Sequence, residues 1–204
     1  MNALPPFGAI LAGGRNVRYG GPKALAAVGG VRIIDRVIRA LRAVTPDIVL
    51  ITNDPDVFAP VGLAMRADAR PGLGALGGIH TALLWAREAS RPGVLAVACD
   101  MPFLGPRLLA RLVEGAARGA DVVVPESDGP RGVEPLCAYY STRCIAAIER
   151  RIERGDVHVI GFYDDVVVER IPLDDVRTYG DPQVLFLNVN TPEERERAEA
   201  LARG

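Results

Sequence analysis

The sequence predicts an α/β protein: a Rossmann-like three-layer α/β/α fold built on a mostly parallel sheet with an antiparallel edge element. Two observations carry that expectation. Short apolar runs rich in β-branched residues alternate with longer segments of helical periodicity, and such alternation favours a parallel sheet covered on both faces. Hydrophobic residues make up 49% of the 204 positions and charged residues 24%, which supplies a core and excludes wholesale disorder. The length leans to one domain over residues 1–204, with no internal repeat and no low-complexity linker.

Phe7 to Leu11, Asp47 to Thr52, Gly93 to Ala98 and Asp121 to Val124 read as buried strands, since each is a short apolar run bounded by turn residues. Ile33 to Val44 carries apolar residues at 33, 34, 37, 38, 41 and 44, the stripe of a helix. Gly77 to Glu88 and Pro106 to Ala117 are further helices, the second with proline in its first turn. Ala24 to Val31 reads as a short hairpin turning at Gly29-Gly30. In the second half, Pro135 to Tyr139 reads as a strand and Ile145 to Arg154 as a helix. Val166 to Ile171 is a strand expected antiparallel at an edge, and Val184 to Leu187 a last short strand. Pro192 to Arg203 closes the chain as a charged helix, announced by a capping box of Thr191 and Glu194.

Charge and composition exclude several function classes. Twenty-four basic against 25 acidic residues leave a net charge of −1 without a basic tail, which argues against nucleic acid as a partner. Three cysteines (Cys99, Cys137, Cys144) without metal-ligand spacing, and two histidines, argue against a zinc site and against a disulfide framework. No apolar stretch reaches the roughly 20 residues of a membrane helix, and no secretory leader pattern opens the chain, so a cytoplasmic location is expected. Twenty-three of the 24 basic residues are Arg, and the single Lys is Lys23. Coding bias accounts for the arginines but leaves the lone compact ammonium to be explained.

In open α/β sheets ligands sit outside the carboxyl ends of the strands, which directs attention to the loops after Leu11, Thr52 and Ala98. The first runs Leu11-Ala12-Gly13-Gly14-Arg15-Asn16-Val17-Arg18-Tyr19-Gly20-Gly21-Pro22-Lys23. Four glycines let backbone N–H groups turn toward an anion, and three cations complete the charge match. It is not a Walker A loop, because Lys23 follows proline and precedes alanine. Gly72-Leu73-Gly74-Ala75-Leu76-Gly77 satisfies the dinucleotide fingerprint, yet Ala69-Arg70-Pro71 precedes it where the fingerprint needs a strand. It reads instead as a glycine-rich lead into a helix. Asp100, directly after an apolar strand, is placed to hold Mg²⁺, a hard cation commonly bound by one or two carboxylates and substrate phosphates. Cys99 reads as a small buried hydrophobe. Asn188 and Asn190 alternate on one side of an extended segment, although turn chemistry before the last helix would use the same residues. Asn53, Asp68 and His158, taken alone, read equally well as turn, loop and surface residues.

Taken together, Leu-Ala-Gly-Gly with Arg18, Gly20 and Lys23, then Cys99-Asp100-Met101-Pro102, Glu134-Pro135-Leu136-Cys137-Ala138-Tyr139, and Asn188-Val189-Asn190-Thr191-Pro192 resemble the molybdenum cofactor guanylyltransferases, a branch of the nucleoside-triphosphate-using pyrophosphorylases. The likeness runs from Gly8 to the closing helix. It implies transfer of GMP from GTP to the terminal phosphate of molybdopterin, with Mg²⁺ as cofactor and pyrophosphate released. It implies GTP contacts at Leu11, Ala12, Gly13, Gly14, Lys23, Asn53 and Asp68, with Asp100 on both Mg²⁺ and nucleotide. Asn188 and Asn190 fall on the molybdopterin side, so residues about 7–125 would form the nucleotide-binding part and about 126–204 the acceptor-binding part. Catalytic roles fall to Lys23, Arg18 and Asp100. The acceptor phosphate is already ionised, so no Ser, Cys or His nucleophile is required, and catalysis would rest on positioning and charge neutralisation. Transient contact with proteins that deliver or accept the cofactor is also implied.

The chain departs from the family pattern at Asn16 and Tyr19, where Ser and Met are usual, and in the Gly74-Ala75-Leu76-Gly77-Gly78-Ile79 segment. It departs again at His158, where a pterin-side arginine is expected. The competing readings are a molybdopterin cytidylyltransferase, a sugar-phosphate nucleotidyltransferase, a non-catalytic nucleotide-binding regulator that kept the fold, and a dinucleotide-dependent oxidoreductase.

Overall fold

Alternation of side chains along each strand decides the layering. In the first strand, β1 (Phe7–Leu11), Ile10 points into one buried cluster while Ala9 and Leu11 point into another, as a period of two requires in a sheet covered on both sides. A computed structural model describes residues 4–13 and 23–203, the Lys23 side chain excepted. Gly14 and Arg18 therefore lie outside the described residues.

Among the described residues after β1, a 3₁₀ turn (Lys23–Leu25) leads into the hairpin β2 (Ala27–Val28) and β3 (Val31–Arg32), then α1 (Ile33–Arg42) and β4 (Ile48–Ile51). The short α2 (Pro55–Phe58), β5 (Ala64–Arg66), α3 (Gly74–Glu88), β6 (Gly93–Ala98), α4 (Pro106–Ala117) and β7 (Val122–Pro125) follow. The last third holds β8 (Cys137–Ser141), α5 (Ile145–Glu153), β9 (Val168–Ile171), α6 (Leu173–Arg177), α7 (Pro182–Leu185) and α8 (Pro192–Arg203).

Seven strands form one sheet in the order β5-β4-β1-β6-β8-β7-β9, and β2 and β3 form a separate hairpin. One face carries α1, α4, α6 and α7 through Ile34, Val37, Leu41, Leu108, Leu112, Val176 and Leu185. The other carries α3 and α5 through Leu76, Ile79, Leu83, Ile145 and Ile148. The chain leaves β1 toward β4 on one side, and α3 then carries it back to β6 on the other. The topological switch point thus lies between β1 and β6, where crevices open at the carboxyl ends of strands.

The α/β class, the four buried strands, the principal helices and the hairpin stand as read from the sequence. The hairpin turns at Gly29 and Gly30 with φ of +57° and +72°, the left-handed pair that a two-residue turn needs. Four details differ. The antiparallel element is β8, and it lies inside the sheet, pairing with β6 and β7. The strand expected antiparallel at the edge, β9, is at the edge but parallel to β7. Burial explains the exchange: Cys137–Ser141 is buried at every position, whereas β9 is buried only at Ile171. Val184 to Leu187 is not a strand. Asp181 caps a helical turn by accepting from the Gln183 N–H at 2.9 Å, and Pro182 opens α7, so local capping outweighs a four-residue apolar run. Third, β5 is a strand of three residues, too short to show a period. Finally, α3 begins at Gly74, one turn before Gly77.

Candidate functional site

Backbone hydrogen bonds gather the loops that the sequence singled out. At the carboxyl end of β1, Leu11 and Ala12 are buried while Gly13 is exposed, and no described residue lies within 4 Å of the place a Gly13 Cβ would occupy. Ala12 N–H donates to the Ile51 carbonyl at 2.9 Å and Cys99 N–H to the Leu11 carbonyl at 3.2 Å. These two bonds fix the ends of β4 and β6 on either side of the first loop.

At the β4 end, Asn53 and Asp68 meet. Asn53 Nδ2 donates to Asp68 Oδ2, and Asp68 N–H donates to Asn53 Oδ1, both at 2.9 Å. Neither residue announces the other in the sequence; β5, pairing parallel to β4, sets them side by side. The amide–carboxylate pair leaves acceptor and donor positions for a base or ribose to share.

At the β6 end, Asp100 is half-buried. Its carbonyl accepts from Val189 N–H at 3.0 Å, which pins the 187–190 segment beside it. Val189 is buried, Asn188 half-buried and Asn190 exposed, the alternation of an extended strand-like segment. Asn188 Nδ2 donates back to the Phe186 carbonyl at 3.3 Å. The predicted capping box is present: Glu194 N–H donates to Thr191 Oγ1 at 3.1 Å, and Glu194 Oε2 accepts from Thr191 N–H at 2.9 Å and from Asn190 N–H at 2.5 Å.

Glu134 is a further candidate that residue-by-residue reading of the sequence does not select. The antiparallel β6–β8 register pairs Val97 with Cys137, and Ala98 N–H donates to the Leu136 carbonyl at 2.9 Å. Beyond that pair the chain turns, with Cys137 N–H donating to the Glu134 carbonyl at 3.2 Å, and Glu134 lies near enough to Asp100 to feel its charge. The Glu134 carboxyl is held above the usual carboxylate range by burial first. A hydrogen bond from Leu136 N–H (3.1 Å) and the Arg131 charge oppose that rise, and the Asp100 charge adds to it. The sequence signal is the Glu134 to Tyr139 segment, which carries the family likeness but does not name a spatial neighbour.

Other expectations fall elsewhere. Cys99, Cys137 and Cys144 are buried free thiols. Burial, with the Asp100 charge, pushes Cys99 up, and burial with the Asp121 charge pushes Cys144 up to about 12, so both remain protonated and unreactive. Of the dinucleotide-like glycines, Gly72 lies in the seven-residue loop between β5 and α3 while Gly74 and Gly77 are already in α3, without the tight strand-to-helix turn the fingerprint needs. His158 is exposed and its Nδ1 lies 2.8 Å from Asp156 Oδ1. It lines a cavity of about 440 Å³ with Arg131, Leu73 to Ala75 and Val157 to Ile160. Asp100, Asn188 and Asn190 are not among that cavity's walls.

A family model, the MobA-like NTP transferase domain, matches residues 8–166. The molybdenum cofactor guanylyltransferase of Desulfosudis oleivorans is 37% identical over 95% of this chain and 94% of its own length. The probable molybdenum cofactor guanylyltransferase of Pelotomaculum thermopropionicum is 39% identical over 98% and 94% respectively. The chain belongs to the molybdenum cofactor guanylyltransferase family.

Structural likeness runs the same way. The molybdopterin-guanine dinucleotide biosynthesis protein A of Archaeoglobus fulgidus superposes with a TM-score of 0.78 at 27% identity, covering 97% of this chain and 98% of that one. The 2-C-methyl-D-erythritol 4-phosphate cytidylyltransferase of Thermus thermophilus, at 21% identity and a TM-score of 0.68 over 98% and 100%, shares the fold. Among the described residues no helix is long and apolar enough to cross a membrane.

Proposed function

We propose that this chain transfers GMP from GTP to the terminal phosphate of molybdopterin, releasing pyrophosphate. The observation that carries the reading is the near-full-length identity to curated guanylyltransferases. The convergence of Leu11–Gly13, Asn53 with Asp68, Asp100, and Asn188 with Asn190 on one end of the sheet supports it. In this reading the nucleotide lies over the open backbone at Gly13, with the Asn53–Asp68 pair toward its nucleoside end. Gly14, Arg18 and Lys23 meet its phosphates, and molybdopterin approaches from the Asn188–Asn190 side.

Mg²⁺ suits the donors present, because Asp100 and Glu134 offer hard carboxylate oxygens of the kind that bind it alongside substrate phosphates. Bound there, it would neutralise phosphate charge and align the acceptor and nucleotide phosphates. The protein's own share is to hold the acceptor oxygen in line with the α-phosphorus and to present Lys23 and Arg18 to the departing pyrophosphate. It also keeps Asp100 fixed through the backbone bond to Val189. No side-chain nucleophile takes part. The test is incubation with each of the four nucleoside triphosphates, Mg²⁺ and molybdopterin, following pyrophosphate and dinucleotide. GTP should be the preferred donor; a clear preference for CTP, or turnover only with a sugar phosphate, would reassign the activity.

A further inference from the structure

A third, small hydrophobic cluster lies apart from the two faces of the sheet. Val28 of the hairpin, Ile33, Leu187, Val189 and Ala198 of α8 form it, with Ala26, Phe103 and Ala202 packed against it. Besides those of α8, its members come from three segments: the hairpin that follows Lys23 with the first residue of α1, the turn that follows Asp100, and the segment that carries Asn188 and Asn190. α8 is the element that covers all three. Two of its carboxylates also reach out to backbone. Glu194 Oε2 accepts the Asn190 N–H at 2.5 Å, and Glu199 Oε2 accepts the Gly29 N–H at 3.1 Å. Arg36 also donates twice to the Val28 carbonyl, at 2.7 and 3.1 Å, and lies 5.9 Å from the Phe103 ring centre. The approach of α8 is close: a Cβ at Gly29 would stand 2.9 Å from Ala202 Cβ.

The geometry points to α8 as a two-ended positioning element, with Glu199 holding the nucleotide-side hairpin and Glu194 holding the acceptor-side asparagine segment. The inference rests on the guanylyltransferase reading for which substrate lies on which side. Neither carboxylate touches a substrate; each acts through the backbone it holds. A capping box alone explains the Thr191 contact of Glu194, but not its bond to Asn190, and it offers no account of Glu199.

The test uses the full chain with Glu194→Ala, Glu199→Ala and the two Gln variants, each of which keeps one acceptor oxygen. Glu199→Ala should raise the KM for GTP about tenfold, the equivalent of one charge-assisted hydrogen bond, and leave the acceptor KM unchanged. Glu194→Ala should do the reverse, and each Gln variant should restore most of the loss. Hydrogen exchange gives a readout independent of turnover: amides of residues 26–32 should quicken only in Glu199→Ala, and those of 188–191 only in Glu194→Ala. Equal changes in both KM values, exchange that quickens across the whole molecule, or no change in either variant would overturn the positioning role. Absence of dinucleotide from the unaltered protein would instead overturn the guanylyltransferase reading, while the exchange pattern would still decide what each carboxylate holds.

Discussion

Asp100 stands at a strand end, half-buried, with its carbonyl tied to Val189. Its side chain adds nothing to the apolar core, so Asp100→Ala should keep the fold and abolish transfer; normal turnover with Mg²⁺ in this variant would remove the metal assignment. Glu134→Gln should raise the Mg²⁺ concentration needed for half-maximal turnover and weaken Mn²⁺ binding measured calorimetrically, because one anionic donor is lost from the pair. Unchanged Mn²⁺ affinity would confine Glu134 to a structural role. Lys23→Arg tests whether the lone lysine has a task. A compact ammonium fits between phosphate oxygens where a planar guanidinium needs more room, so turnover should fall by about 10²–10³ with folding intact by circular dichroism. Activity within about twofold of the parent would make the lysine an accident of composition.

At the scale of elements, the sheet depends on a close approach at its centre. Gly93 opens β6 opposite Ser141, and a Cβ there would meet the Tyr140 carbonyl and stand 2.7 Å from Tyr139 Oη. Gly93→Ala should therefore lower the melting temperature clearly, since backbone and not a flexible side chain must yield. The edge strand β9 is fastened differently. Glu169 accepts hydrogen bonds from Arg111 (2.8 Å) on α4 and from Arg118 just beyond its end. Burial acts to raise the Glu169 pKa, but the two guanidinium bonds outweigh it and the net shift is downward. The sign follows directly: a lowered folded pKa adds stability above the ordinary glutamate range, and that stability is lost as pH falls through the folded value. Urea titrations of Glu169→Gln against the parent should differ at neutral pH and converge in acid; a gap that stays constant with pH would show that the charge is irrelevant.

Over the whole molecule, the switch point between β1 and β6 puts every candidate residue among those described at one end of the sheet, while both helical layers serve as support. The α/β class was legible because buried strands and amphipathic helices alternate with different periods. The loop after β1 stands out in the sequence because glycines and cations crowd after a core strand, and most of it lies outside the described residues. Two features hid from sequence reading. The antiparallel β8 is inserted between β6 and β7, and no local period records strand order. The pairing of Asn53 with Asp68 depends on β5, whose three residues carry no periodic signal.

The sequence by itself determined the alternation of elements, the hairpin at Gly29-Gly30, the capping box of Thr191 and Glu194, and the family through motifs spread over most of the chain. These are local properties, set by side-chain periodicity, backbone freedom and short-range hydrogen bonds. Only the tertiary structure decided that Glu134 lies near Asp100, that Asn53 bonds Asp68, and that α8 reaches Gly29. Each of these depends on which distant segment arrives alongside. That is settled by burial of whole faces and by ladder register, neither of which is written in any short stretch of the chain.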